Sequence, residues 1–355
     1  MPLLRAEWWE AHQPLVVFMW IILFVVPFAI VYGAGDTFET VLECIVNDYL
    51  TFIVLLFGLF CVSGNITVGG DFAGSPRVNA CLLALGTLLS SCIGTTGASM
   101  LMVRPVIKMN SWRKRKRHIM VFFIFLISNM GGCLTPIGDP PLLMGFMRGV
   151  LPGMSAFQDA AGNVRGIRLY GEVTLTLPAL IEIVIILLAA FLSFKTTDSS
   201  IRTKNHFTWG AIKEVAVLFI GIFITMQPAL MLLKSVGPNL GISEPYQMFW
   251  ATGALSSFLD NTPTYLVFLT TAGTLGLTGG ITTALGQIPV NLLEAISCGA
   301  VFMGANTYIG NAPNFMVKAI SDENGVNMPS FFGYILWSLA FLVPVFILDM
   351  LVFFL

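Results

Sequence analysis

The stretch Ser128 to Gly145, SNMGGCLTPIGDPPLLMG, limits what this chain can fold into more than any other. It lies between two apolar runs, Val121 to Ile127 and Leu142 to Met147. Each is far shorter than the about 20 residues a helix needs to cross a bilayer. Gly131 and Gly132 loosen the backbone, Pro136, Pro140 and Pro141 remove amide donors and forbid a continuous helix, and Asp139 adds a carboxylate. Irregular backbone of this kind survives at membrane depth only where protein buries it or where it lines a polar cavity. The stretch therefore reads as one membrane helix broken in the middle.

The same device occurs twice. Gly304 to Met316, GANTYIGNAPNFM, aligns without gaps on Gly132 to Met144, GCLTPIGDPPLLM. Thr135 matches Thr307, Ile137-Gly138 matches Ile309-Gly310, Pro141 matches Pro313, and Asp139 faces Asn311. A second pair precedes the two breaks in the same order, Ser90 to Thr96 as SSCIGTT and Ser256 to Thr262 as SSFLDNT. This is an internal repeat.

Of the 355 residues 56% are hydrophobic and 10% charged, which excludes an ordinary soluble domain and implies a multi-spanning membrane protein. The net charge of -1 gives no reason to expect a nucleic-acid partner. No phosphate-cradling loop or metal-ligand cluster is present, so no cofactor is expected. The six cysteines are scattered without a C-x-x-C and read as small core residues. His12, His118 and His206 fall in polar segments near helix ends and do not form a proton relay.

Along the chain, Leu15 to Tyr32 is an apolar run longer than the core of a signal peptide and is expected to be an uncleaved span. An acidic loop with Asp36, Glu39, Glu43 and Asp48 follows, then a span from Leu50 to Val68. Val78 to Ser91 and Ala98 to Met109 are short apolar pieces around CIGTTG, the pattern of a re-entrant hairpin. Ser111 to His118, SWRKRKRH, is the one dense basic cluster, and beside a span it is expected on the cytoplasmic side of the inner cell membrane. After the first broken helix come a polar loop from Pro152 to Glu172, a span from Leu175 to Phe194 and a mildly basic loop. Val215 to Leu233 is the next span, and a second pair of short pieces surrounds LDNTP. The second broken helix and a last span from Phe331 to Leu355 complete the chain. The fold class expected is an all-α polytopic membrane protein with inverted-topology repeats, two re-entrant hairpins and two discontinuous helices. Its parts are an N-terminal half over 1–150, a connecting segment with one span over 151–210, and an inverted C-terminal half over 211–355.

The motifs SNMGGCLTPIGDPP, SSFLDNTP and GANTYIGNAPNFMVKAI resemble the ion transporter superfamily. Within it they resemble in particular the NhaD-type sodium/proton antiporters and the citrate-transporter family related to them. The likeness runs from about Tyr49 to about Trp337. It implies a scaffold domain and a transport domain of two hairpins and two discontinuous helices, moving to give alternating access. It also implies no enzyme activity. The expected partners are the bilayer, sodium ions and protons as cargo, and, as one option, a second copy of the chain.

Pairing each hairpin tip with the broken helix of its own repeat gives two candidate ion sites. One holds Thr95, Thr96, Ser99, Asn129 and Asp139, the other Asp260, Asn261, Thr262, Asn306, Thr307 and Asn311. Hard cations take oxygen ligands, and both sets are rich in them. Each set has one carboxylate, which makes Asp260 and Asp139 the expected sodium ligands. Asp139 reads equally as a helix cap before Pro140, and Asn311 likewise. Thr262 is the natural cap before Pro263, which leaves Asp260 free for a cation shared with a proton. Arg104 reads as an anion ligand, as a counter-charge for Asp139, or as a helix-end residue reaching the interface. Glu182 and Asp349 lie close enough to span ends to be solvated.

Sodium/proton antiport is the first functional reading, and a sodium- or proton-coupled citrate or dicarboxylate carrier the alternative. An intramembrane aspartyl protease is a different class that fits poorly. Pro136 stands where G-x-G-D requires glycine, and a protease has no need of two matching helix breaks.

Overall fold

The computed structural model describes residues 6–65, 73–145, 166–204, 209–228, 230–231, 241–283 and 285–355. Helix dominates. Among the described residues six helices are long and apolar enough to cross a membrane: His12–Tyr32, Ala34–Val62, Pro76–Ile93, Arg117–Leu134, Leu177–Thr196 and Phe331–Phe354. Leu23, Val26, Ile30 and Val31 lie exposed on the first of these, as side chains that face lipid do. The chain is an all-α polytopic membrane protein.

The described residues fall in two compact units, each discontinuous in sequence. One is drawn from Met1–Val62 and Pro152–Ala229. In it Val17 packs where Gly221 leaves room for it, Phe52 meets Phe219 and Phe223, and the Tyr49 hydroxyl donates to the Ala216 carbonyl at 3.0 Å.

Three expectations change in this unit. The acidic stretch after the first span is not a loop. Gly33, at φ 93, ends the first helix, and helix resumes at once over Ala34–Glu43 and continues through a π-helical Cys44–Leu50 into Thr51–Gly64. Asp36 falls in the first turn of that helix, where the helix dipole favours a negative charge. The expected polar loop over 152–172 lies outside the described residues up to 165, and beyond that its end is an antiparallel β-ribbon, Gly166–Tyr170 with Val173–Thr176. The span expected over 215–233 is described as a helix over Gly210–Thr225 whose apolar part is Val215–Thr225, and 232–240 lie outside the described residues.

The other unit is drawn from Ser63–Leu151 and Leu230–Leu355 and holds both breaks. Its first helix pair is Pro76–Ile93 and Thr95–Met109, separated only by Gly94 at φ 78, a conformation that side chains with a Cβ rarely adopt. Its second pair is Pro245–Ser256 and Asn261–Thr274. Between that pair and the next helix lies a two-stranded ribbon, Ile281–Thr283 with Gly286–Ile288.

The two broken helices are built alike. In the first, helix Arg117–Leu126 loosens into a 3-10 turn, Met130–Leu134, then an extended Thr135 (φ -142, ψ 156), then half-helix Pro140–Gly145. In the second, Val290–Met303 passes into a 3-10 turn, Gly304–Asn306, then an extended Thr307 (φ -135, ψ 167), then Ala312–Glu323. The matched threonines thus share one backbone conformation. Phe123, Ile124, Phe249, Leu269, Ile296 and Ala300, all buried, form a single apolar core that joins both repeats.

Packing crosses between the repeats. The returning arm of the first pair, Thr95–Met109, lies against half-helix Ala312–Glu323 of the second break. The returning arm of the second pair, Asn261–Thr274, lies against half-helix Pro140–Gly145 of the first.

Candidate functional site

Each hairpin tip is tied to the break of its own repeat by matched backbone contacts. Thr135 donates its hydroxyl to the Ser91 carbonyl, and Thr307 donates to the Ser257 carbonyl. Ser91 in turn donates to the Gly131 carbonyl, and Ser257 to the carbonyl of Met303, the residue aligned with Gly131. The Thr307 hydroxyl also accepts from the amides of Ile309 and Gly310 at 3.2 and 3.1 Å, which turns the chain toward the half-helix. Thr307 therefore builds the break.

The side chains do not keep to their own repeats. Asp139 is buried, and Thr95 of the first tip donates to its Oδ1 at 2.9 Å. Its Oδ2 accepts from Asn261 Nδ2 of the second tip at 3.0 Å. Ser256 completes Asn261 by donating to its Oδ1 at 2.8 Å. Asn311 donates to the Ser128 carbonyl at 3.0 Å and to Asn129 Oδ1 at 3.1 Å, both in the first break. Asn129 donates to Asn314 Oδ1 at 2.7 Å, and Asn314 Nδ2 reaches back to the Gly304 and Thr307 carbonyls at 2.9 and 3.0 Å. Ser99 and Ser128 share a hydroxyl–hydroxyl bond of 2.7 Å. The two expected sites are thus one network. The crossing follows from the packing, since each returning arm delivers its first residues to the other repeat's half-helix.

Asp260 is not free of a capping role. It is the N-cap of Asn261–Thr274 and accepts from the Thr262 amide at 3.1 Å. The cap thus lies two residues earlier than the Thr-Pro pattern suggests. The second half-helix has Asn311 as its N-cap residue without a side-chain cap bond, because that amide is turned toward Ser128 and Asn129. Asp139 is held by Thr95 and Asn261 through both oxygens, which goes beyond a cap for its own half-helix. Arg104 is set against the charge of Glu323.

Of the other expected residues, Thr96 is half-buried and makes none of these bonds, whereas Thr262 is buried with an unpartnered hydroxyl. Asn306 donates to Ser257 Oγ at 2.9 Å, and its Oδ1 is buried without a partner. Asn314, Ser128 and Ser256 were not among the expected residues, although all three stand inside the repeat motifs. Asn314 aligns with Leu142, so the repeat comparison gave no signal for it.

The donors around Asp139 are a hydroxyl and an amide, and no Lys, Arg or His is bonded to it among the described residues. A carboxylate removed from water with neutral partners alone is costly unless a proton or a cation joins it.

The family described as "Putative citrate transport" matches the chain in two stretches, residues 1–158 and 154–354. The chain belongs to this family. No curated protein matches it. Membership and the helical architecture together mark a transporter rather than an enzyme, and a multi-pass membrane protein.

Proposed function

We propose that this family member is a secondary transporter that carries a citrate-like di- or tricarboxylate together with cations, by alternating access, with Asp139 as the coupling group. The observation that carries this reading is the double hold on Asp139, each of its oxygens accepting from a different hairpin tip, with no basic side chain bonded to it among the described residues. An anion approaching a buried carboxylate is repelled until a cation or proton neutralises it, so the two cargoes bind in order and move together. The unpartnered oxygens of Thr262 and Asn306 are the kind of ligand that a hard cation such as sodium takes. Asn129, Asn311 and Asn314 supply amide groups, and the half-helix N-termini favour negative charge.

In this reading the unit holding both breaks is the moving transport part and the other the scaffold, as the family likeness implies. Residues 1–150 and 211–355 are the inverted halves, 151–210 joins them, the helix pairs are re-entrant, and the basic run faces the cytoplasm of the inner membrane. Sodium/proton antiport without an organic cargo is the second reading. It is favoured by the presence of a second carboxylate, Asp260, whose charge acts on Asp139.

Vesicles containing the purified protein separate the two. Labelled citrate accumulating under an imposed sodium or pH gradient supports the carboxylate carrier. Sodium-driven proton movement that is indifferent to citrate supports the antiporter and overturns the first reading.

A further inference from the structure

Two cavities outside the transport network adjoin at the basic run. The first, of about 330 Å³, has Lys114, Arg115, Lys116, Arg117 and His118 on one side and the segment Gly325–Asn327 on the other, with Trp337 at its edge. The second, of about 460 Å³, follows one face of the last helix over Gly333, Leu336, Trp337, Ala340 and Phe341. Arg117 and Trp337 line both.

The first cavity is cationic and has no carboxylate in its lining. Asp322 is paired with Lys318 at 2.9 Å and accepts from the Met328 amide at 2.9 Å. The second cavity has Arg117, Pro329 and Ser330 in its lining beside an apolar strip of a helix long and apolar enough to cross the membrane, with Leu336 67% exposed along that strip. Trp337, stacked on Phe341 at 5.5 Å, stands where the two meet, at the junction of polar and apolar surface that tryptophan prefers in membranes.

We propose that these joined cavities are a binding site for one anionic phospholipid, its headgroup phosphate among Lys114, Arg115, Lys116 and Arg117 and one acyl chain along Gly333, Ala340 and Phe341. A basic run at a membrane surface attracts anionic lipid in general. The apolar groove opening from the same arginine and tryptophan adds a place for the chain, which converts diffuse attraction into a site. A soluble anion could use only the first half.

Native mass spectrometry of the full chain, exchanged into detergent with defined lipid, tests this. Phosphatidylglycerol should stay bound to the wild type as a single adduct while phosphatidylcholine does not. The double substitution K114Q/K116Q, which breaks no hydrogen bond among those described, should weaken the adduct by about thirtyfold, from the usual contribution of two interfacial basic residues. Ala340 is exposed, so A340W fills the apolar groove without entering the core, and it should also remove the adduct with every basic residue in place. An adduct unchanged by A340W would mean that charge alone holds the lipid and would overturn the site. Equal retention of phosphatidylcholine would do the same. So would inorganic phosphate raising the melting temperature as much as phosphatidylglycerol does, since that would place a free anion in the first cavity.

Discussion

Asp260 caps the start of its own helix by accepting from the Thr262 amide. Removing a capping side chain costs about 0.5–2 kcal/mol, and Asn replaces Asp with little loss. Asp260→Ala should therefore lower stability by about 0.5–2 kcal/mol, read as a lower melting temperature in detergent, while Asp260→Asn stays near the wild type. Equal stability of the alanine variant would contradict the cap. Both membrane aspartates stood out in the sequence, because a carboxylate inside an apolar run needs a reason. Their different settings did not. The partners that distinguish Asp139, Thr95 and Asn261, lie 44 and 122 residues away, beyond the reach of any local pattern.

At the scale of the element, the breaks depend on close backbone approach. A Cβ on Gly138 would come within 2.2 Å of the Gly132 carbonyl oxygen, and one on Gly310 within 2.5 Å of the Gly304 carbonyl oxygen. These are matched positions of the repeat, so Gly138→Ala and Gly310→Ala should both damage folding, by more than about 2 kcal/mol each. Gly35, inside a helix and with nothing near its missing Cβ, is the contrast. Gly35→Ala should leave stability unchanged or raise it by up to about 1 kcal/mol. Yield of folded protein and melting temperature read all three, and tolerance of alanine at Gly138 would argue against the tight turn. Proline, glycine and the repeated Ile-Gly made the breaks legible in the sequence. The exchange of arms between repeats was not legible, because a gapless alignment shows which segments are alike and not which of them touch. The helix over Ala34–Glu43 was missed for a related reason. Its acidic residues read as a solvated loop, while Gly33 alone carries the turn.

For the whole molecule, apolar content and two matched breaks were enough to read a polytopic all-α protein. Its division into two units, each assembled from separated pieces of chain, had no counterpart in composition. The sidedness proposed above has a direct check. In a variant lacking the native cysteines, Arg115→Cys should react with an impermeant thiol reagent in inverted vesicles and stay unlabelled from outside intact cells, because basic loops resist translocation. Labelling from outside would reverse the topology. The central claim is that cation-coupled carboxylate transport passes through Asp139, and labelled citrate uptake by vesicles under an inward sodium or proton gradient tests it most directly. Asp139→Asn keeps the size of the side chain but supplies neither the charge nor the exchangeable proton. Wild-type vesicles should accumulate citrate above equilibrium, and vesicles with Asp139→Asn, inserted at the same level and equally stable, should only equilibrate. Full gradient-driven accumulation by the Asp139→Asn protein would contradict the central claim.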